Sequence, residues 1–140
     1  MAAPIVLFPD ARTALIDRVE ADAASFGLSG LTVSSMIPNP RPERFVVIDR
    51  TGGPRRDLIV DEAQLTIDCW AADDVKAHDL AQIVRGIIGA AAGTATGGVQ
   101  FYRIDELAGP QHLPDPDSAH QARYRWSVLA QVRGRRHLPT

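Results

Sequence analysis

The feature that most constrains the fold is a long alternation of apolar and polar side chains between Gln121 and Arg133. A period of two residues is that of a β-strand with one buried face, and at about 3.3 Å per residue the segment would span roughly 40 Å. Ordinary strands have only about five or six residues. We therefore expect a sheet whose last strand either bends or projects from the body. The apolar face of this strand carries Tyr124, Trp126, Val128, Ala130 and Val132, and the polar face carries Arg123, Arg125, Ser127, Gln131 and Arg133, with Leu129 as the apolar exception.

Shorter apolar or alternating segments predict the rest of the sheet. We expect strands over 31–37, 45–48, 57–60, 64–70 and 99–107. Three prolines between Pro38 and Pro42 are incompatible with a helix or a central strand, so they predict a stiff extended connector. Gly52 and Gly53 supply the positive φ values that a chain reversal needs, so the segment 51–56 predicts a turn or a longer loop. The segment 109–118 is rich in proline and aspartate and predicts a loop.

Two segments, 10–26 and 73–92, carry the 3.6-residue periodicity of amphipathic helices. Asp10 and Asp73 begin them and are suited to the free amides of the first turn. Tight turns between strands favour antiparallel pairing. The chain is therefore predicted to be a single α+β domain over 1–140, with an antiparallel or mixed sheet and both helices packed on one face. The opposite face would be partly exposed or covered by another subunit.

The composition is that of a soluble globular protein. Hydrophobic residues make up 45% and charged residues 23% of the chain, which is typical of a folded domain and not of a disordered one. A formal net charge of −2 excludes a polycation that coats nucleic acid or an anionic membrane. The single cysteine, Cys69, can form neither an intrachain disulfide nor a cysteine zinc site. Because the sequence shows no export signal and no membrane span, we expect a protein made in a reducing cytoplasm.

The sequence contains no recognisable catalytic constellation. The glycine-rich segments do not lead into a helix as a phosphate-binding loop does, and the four histidines include no i, i+4 pair. Cys69 shares its strand phase with Leu65 and Ile67, which predicts core packing and not a nucleophile. Asp115-Pro116-Asp117 has the composition of an exposed turn and not of a ligand cluster. We therefore predict no enzyme activity, no cofactor and no metal.

The charges are segregated along the chain. Five arginines against two acids give +3 over 41–56, seven acids against one lysine give −6 over 57–79, and five arginines without an acid give +5 over 121–140. One interpretation is that these are ordinary solvated faces, clustered by chance. The other is that they form complementary patches that meet between subunits, because opposite fields fix the register of an interface. A head-to-tail contact of that kind closes into a ring where its rotation allows.

Several stretches of the chain are distinctive in combination: Pro38-Asn39-Pro40-Arg41-Pro42-Glu43-Arg44-Phe45-Val46, Arg50-Thr51-Gly52-Gly53-Pro54-Arg55-Arg56, Leu65-Thr66-Ile67-Asp68-Cys69-Trp70-Ala71, Tyr102-Arg103, Gly109-Pro110, Leu113-Pro114-Asp115-Pro116 and Arg123-Tyr124-Arg125-Trp126. Through these stretches most of the chain, from about 1 to 135, resembles the tail terminator (tail completion) proteins of long-tailed bacteriophages of actinobacteria. The resemblance implies an α+β virion protein that acts without catalysis. Six copies would form a ring that caps the tail tube, ends its polymerisation and provides the surface for joining the head.

The same resemblance implies the partners: further copies of the chain, the tail tube protein and the head–tail connector, with DNA only as cargo in the lumen. The basic residues Arg55 and Arg56 would lie in a contact with a neighbour or with the tube. Arg123, Arg125 and Arg133 would face a partner subunit or the lumen. Two other functions stay open at this point: a different connector or minor tail protein, and a small nucleic-acid-binding module. The second would use residues 133–136 together with Tyr124 and Trp126, and its affinity would fall steeply with salt.

Overall fold

The computed structural model describes residues 2–140, which form an α+β fold of two helices and eight strands. Both long helices begin at an aspartate whose carboxylate accepts a hydrogen bond from the backbone amide three residues on: Asp10 caps the first and Asp73 the second. The elements in chain order are β1 Ile5–Leu7, α1 Ala11–Ala23 followed by a 3₁₀ turn Ala24–Phe26, β2 Thr32–Ser34, β3 Phe45–Gly52, β4 Val60–Ala71, α2 Asp74–Ala90, β5 Ala95–Thr96, β6 Val99–His112, β7 Ala122–Arg133 and β8 Arg135–His137.

Six strands form the main sheet in the order β2-β3-β4-β7-β6-β5. Only β2 and β3 are parallel, so the sheet is mixed, as predicted. The long strand β7 does not project from the body, because it lies in the centre of the sheet. It pairs with β4 along its whole length, from Ala122 opposite Ala71 to Arg133 opposite Val60, and with β6 on its other side. The neighbours match its length, with 12 residues in β4 and 14 in β6.

Both helices pack on one face of this sheet, which confirms the predicted architecture. The core between them is formed by the inward side chains of β3, β4 and β7 and by the apolar faces of α1 and α2. Cys69 is fully buried in this core, in phase with Leu65 and Ile67, as its position in the alternation predicted. At the same time no helix within residues 2–140 is long and apolar enough to cross a membrane.

The prediction of a loop over 109–118 is wrong in its first part, because β6 continues to His112. Pro110 is tolerated there for two reasons. It lies within a register shift between Ala108 and Gln111, and β5 pairs only with the first two residues of β6, so this part of β6 has no second neighbour. The predicted strand over 57–60 is also mostly a turn, in which one Asp57 carboxylate oxygen accepts hydrogen bonds from the amides of Ile59 and of Val60, the first residue of β4.

A second, two-stranded sheet joins the two ends of the chain. Here β1 and β8 pair antiparallel, with Ile5 opposite His137 and Leu7 opposite Arg135; we call this pair the terminal ribbon. Gly134 allows the close approach at its base, because a Cβ at that position would lie 2.5 Å from a Val6 methyl carbon. The sequence analysis did not predict this sheet, since each strand has only three residues.

Candidate functional site

The five arginines predicted at an interface fall into two separate groups in the structure. Arg55 and Arg56 lie in the loop that connects β3 to β4, and Arg133 ends β7 at the same end of the sheet. Arg123 and Arg125 lie in the first half of β7, on the side of the sheet that faces away from the helices. We call this side the open face. The five residues therefore do not form one basic patch.

Arg125 is neutralised within the open face. Its Nε and Nη2 donate to the two carboxylate oxygens of Asp68 at 2.6 and 2.9 Å, a bidentate pair between directly opposed residues of β7 and β4. These hydrogen bonds raise the pKa of Arg125 above its ordinary value. Beside the pair, the hydroxyl groups of Thr51, Thr66 and Ser127 form a chain across three strands with spacings of 3.0 and 3.1 Å. The polar groups of this face are thus bonded to one another.

Arg123 belongs to a stacked column at one edge of the open face. Its guanidinium lies 5.7 Å from the centre of the Trp70 ring, and its Nε donates to the Leu113 carbonyl at 2.9 Å. Trp70 in turn stacks on Phe45, with ring centres 4.5 Å apart, and Arg41 lies 6.0 Å from the Phe45 ring. Cations on both outer faces of an aromatic pair are favourable because the ring faces carry negative charge.

Asp115 holds this column together. The predicted exposed turn is present at Pro116 and Asp117, but the prediction is wrong for Asp115 itself, which is buried. The residue is only 8% exposed. One carboxylate oxygen accepts hydrogen bonds from Trp70 Nε1 at 3.0 Å and from Arg41 at 3.1 Å, and the other accepts from the Asp117 amide at 2.9 Å. Burial alone would raise the pKa of Asp115, but these three hydrogen bonds outweigh it and lower the pKa.

We call the group Arg41, Phe45, Trp70, Asp115 and Arg123 the aromatic clamp. It fastens the proline-rich connector and the loop after β6 to the sheet, since Arg41 comes from the first and Asp115 from the second. The clamp borders a shallow groove of about 460 Å³ on the open face, whose far rim carries Met36 and Ile37. Met36 is 75% exposed, so this rim offers apolar surface to solvent.

The loop that carries Arg55 and Arg56 is held at its base. Arg50 donates to both carboxylate oxygens of Asp61, at 2.7 and 3.1 Å, and to the carbonyls of Gly52 and Gly53. Gly52 and Gly53 have φ values of +120° and +90°, which confirms the predicted turn. Their arrangement leaves the side chains of Arg55 and Arg56 exposed.

The terminal ribbon lies beside that loop and bears exposed apolar side chains. The Gly134 amide donates to the Ile59 carbonyl at 2.6 Å, which ties the ribbon to the loop. Arg135 also donates to the Gly98 carbonyl in the turn between β5 and β6. Two hollows of about 440 Å³ each flank the ribbon. The exposed apolar residues around it are Ile5, Leu7, Leu58, Ile59 and Leu138.

A concavity of about 540 Å³ lies at the opposite end of the sheet. Its floor is apolar and includes Leu80 and Ile83 of α2, and Glu43 and Asp79 lie on its rim together with Arg44 and Lys76. We call it the helix-end groove, because α2 begins beside it. Two further carboxylates stand at the start of that helix, on its N-cap Asp73 and on Asp74 in its first turn.

Two ionisable side chains outside these surfaces, those of Cys69 and Tyr124, are held by burial and by a hydrogen bond, respectively. Burial raises the pKa of the Cys69 thiol well above its ordinary value, and the nearby Asp68 carboxylate adds to the shift. Tyr124 donates to Asp74 at 2.6 Å, which raises the pKa of that phenol, and its ring packs between His78 and His112. Among residues 2–140, no three His, Cys, Asp or Glu side chains are grouped as metal ligands would be.

The fold of this chain is similar to that of a chain in a solved virion structure, whereas comparisons of its sequence found no match. No protein-family model matches the chain, and no curated protein matches it in sequence. A chain of a solved structure described as the virion of a native gene transfer agent (GTA) particle superposes with a TM-score of 0.65 and 19% sequence identity. The match covers 89% of this chain and 95% of that chain. The two chains share a fold.

The sequence analysis missed the aromatic clamp and the terminal ribbon. For the clamp a signal was present: Trp70 falls on the strand face opposite Cys69, where an aromatic residue needs a partner for its ring and its N–H. For the ribbon no local signal existed, because its strands are three residues long and come from opposite ends of the chain.

Proposed function

We propose that this protein is a structural component of a phage-like virion, and specifically a tail terminator. In this role copies of the chain form a ring, most simply of six subunits, on the end of the tail tube. The ring ends tube polymerisation and presents the surface on which the head connector docks, while DNA passes through the lumen as cargo. The protein would act by binding alone, without catalysis or a cofactor, and its place in the cell would be the virion at the head–tail junction.

The observation that carries this proposal is the fold shared with a chain of a gene transfer agent virion, over nearly the full length of both chains. The resemblance of the sequence motifs to actinobacterial tail terminators supports the same role from an independent direction. The loop with Arg55 and Arg56 is consistent with a contact surface, since its base is fixed by Arg50 and Asp61 and its tip is exposed. A pre-formed loop loses little conformational entropy when it binds.

A different connector or minor tail protein would have the same fold and differ in its position in the virion. The nucleic-acid-binding module is less well supported. Trp126 is 2% exposed and lies in the core between sheet and helices, whereas a base-stacking platform presents its rings to solvent. Arg125, which the same strand carries, is already paired with Asp68.

The test uses the purified protein with and without tail tubes of the same particle. Native mass spectrometry over a concentration series, with negative-stain images, is expected to show a sixfold mass and rings. With tubes present, we expect density at one tube end and no further growth when tube protein is added. Tubes that grow equally well with the protein present would refute the terminator role. Tight binding to DNA with a steep salt dependence would favour the nucleic-acid module instead.

The contribution of the loop is tested separately. Exchanging Arg55 and Arg56 for glutamate is expected to weaken ring formation or tube binding at least tenfold while the circular dichroism spectrum stays unchanged. The matched control is Arg12→Glu with Arg103→Glu, which changes the same charge elsewhere on the surface. Equal assembly by the loop variant and the parent protein would remove the loop from the interface.

A further inference from the structure

The terminal ribbon and its surroundings have the character of a contact surface. Ile5 and Leu7 point from the same side of β1 and are 55% and 48% exposed, and Leu138 is 59% exposed. Basic side chains surround them: Arg133, Arg135 and Arg136 lie within four residues, and no carboxylate occurs between 121 and 140. Apolar surface with a charged rim is typical of protein-binding sites.

The helix-end groove is an apolar hollow with acidic surroundings. Its lining includes Leu80, Ile83 and neighbouring small residues. Its lining carries Glu43 and Asp79 against Arg44 and Lys76. Two further carboxylates stand beside it at the start of α2: Asp73, which caps the helix, and Asp74, which accepts the Tyr124 hydroxyl. Four carboxylates against two basic side chains give this group a formal net charge of −2.

Ribbon and groove cannot meet within one molecule. The ribbon adjoins the end of β7 at Arg133, whereas the groove adjoins its beginning, where Ala122 pairs with Ala71. Twelve residues of strand separate the two ends by roughly 40 Å. An exposed apolar surface with arginines at one end and an apolar hollow beside carboxylates at the other favour a head-to-tail contact, which forms closed rings or open filaments from identical subunits.

We infer that the terminal ribbon of one copy docks in the helix-end groove of the next copy. This rests on the proposed function, because it supplies the contact from which the ring would be built. Ile5, Leu7 and Leu138 cover the apolar floor, and the arginines after β7 face the carboxylates of the rim. Each subunit then gives one ribbon and receives another.

The test uses two full-length variants that each damage one surface. Ile5→Glu with Leu138→Glu places negative charge on the ribbon, and Glu43→Arg with Asp79→Arg reverses the rim of the groove. All four positions are exposed on the surface, so both variants are expected to keep the parent's thermal unfolding. The matched controls are Tyr102→Glu with Leu107→Glu and Asp17→Arg with Glu20→Arg, which make the same changes on exposed parts of β6 and α1.

Each variant alone is expected to associate at least tenfold more weakly than the parent protein, and the controls like the parent. The decisive sample is the equimolar mixture. One intact ribbon and one intact groove remain, so native mass spectrometry should detect a 1:1 heterodimer that grows no further. A mixture that contains only monomers, or single variants that assemble like the parent, would overturn the inference.

A parent protein that stays monomeric up to about 1 mM would also overturn it, because docking at that strength would not hold a ring together. The terminator role would then be tested by the tube-capping experiment alone. A protein that assembles normally but does not cap tubes would instead support the docking contact and refute the terminator role.

Discussion

Replacing Asp115 with asparagine tests whether the aromatic clamp holds the connector and the loop after β6 on the sheet. Trp70 and Arg41 both donate to the same carboxylate oxygen, and the Asp117 amide donates to the other. An asparagine can keep the bond from Asp117, but its NH₂ group then faces two donors. The substitution removes two hydrogen bonds to a charged acceptor while leaving the volume of the side chain almost unchanged.

The expected cost follows from the burial of the partners. Trp70 is 1% exposed, so its N–H would lose its partner without access to water, which costs about 1–3 kcal/mol. The ion pair with Arg41 contributes less, because that side chain is 26% exposed and solvent screens it. We expect a total loss of about 3 kcal/mol in the free energy of unfolding, or roughly 10 °C in Tm for a chain of this size.

The measurement is urea unfolding followed by tryptophan fluorescence and by circular dichroism, with Asp117→Asn as the control because that neighbouring carboxylate is exposed. The pKa of Asp115 is lowered in the folded state, so its contribution is complete above the unfolded-state pKa of about 4 and disappears as the pH falls through the lower folded-state value. The difference between parent and variant should therefore shrink in acid. A loss below about 0.5 kcal/mol at pH 7, or one that does not change in acid, would refute the reasoning.

Three further substitutions test other parts of the structure. Gly53→Ala should cost about 3 kcal/mol, because its Cβ would lie 2.1 Å from a carbonyl oxygen of β4, whereas Gly52→Ala should cost about 1 kcal/mol for its positive φ alone; equal losses in urea unfolding would contradict this. Arg125→Met should lower the free energy of unfolding by about 2 kcal/mol, because it leaves the Asp68 carboxylate unpaired. Adding Asp68→Asn in the same chain should restore part of this loss. A double variant whose loss equals the sum of the two single losses would exclude that cause. Cys69→Ser should lower the urea midpoint, and the native thiol should react with an alkylating reagent at least ~100-fold more slowly than the unfolded chain; rapid alkylation of the folded protein would show that it is accessible.

The main architecture was predictable because it depends on local periodicity. The alternation through β7 and the stripes of α1 and α2 each specify a buried face, and one sheet with two helices on it satisfies all of them. The capping aspartates Asp10 and Asp73 marked where the helices begin, since their carboxylates satisfy free amides within the same turn. Such signals lie within a few residues of the element that they define.

The parts that escaped prediction depend on distant residues. Gly109 and Pro110 lead the sequence to predict a loop at the end of β6. Pairing with β7 and the register shift around Pro110 nevertheless keep this segment in the sheet. Asp115 has the sequence surroundings of a turn residue. It becomes part of a buried network only because its carboxylate accepts a hydrogen bond from Trp70, 45 positions away. A single sequence contains no local measure of either contact.

The central position of β7 has a consequence for how the chain folds. β4 lies between β3 and β7, and it is complete about 50 residues before β7 is reached along the chain. Until then its inward side chains, Leu65 and Ile67, have a neighbouring strand on one side only. Pairing at such sequence separation makes folding slow, because the loop must close before the contacts stabilise it. During synthesis the nascent sheet would expose an apolar, unpaired edge, which is the kind of surface that chaperones shield and that aggregates when they do not.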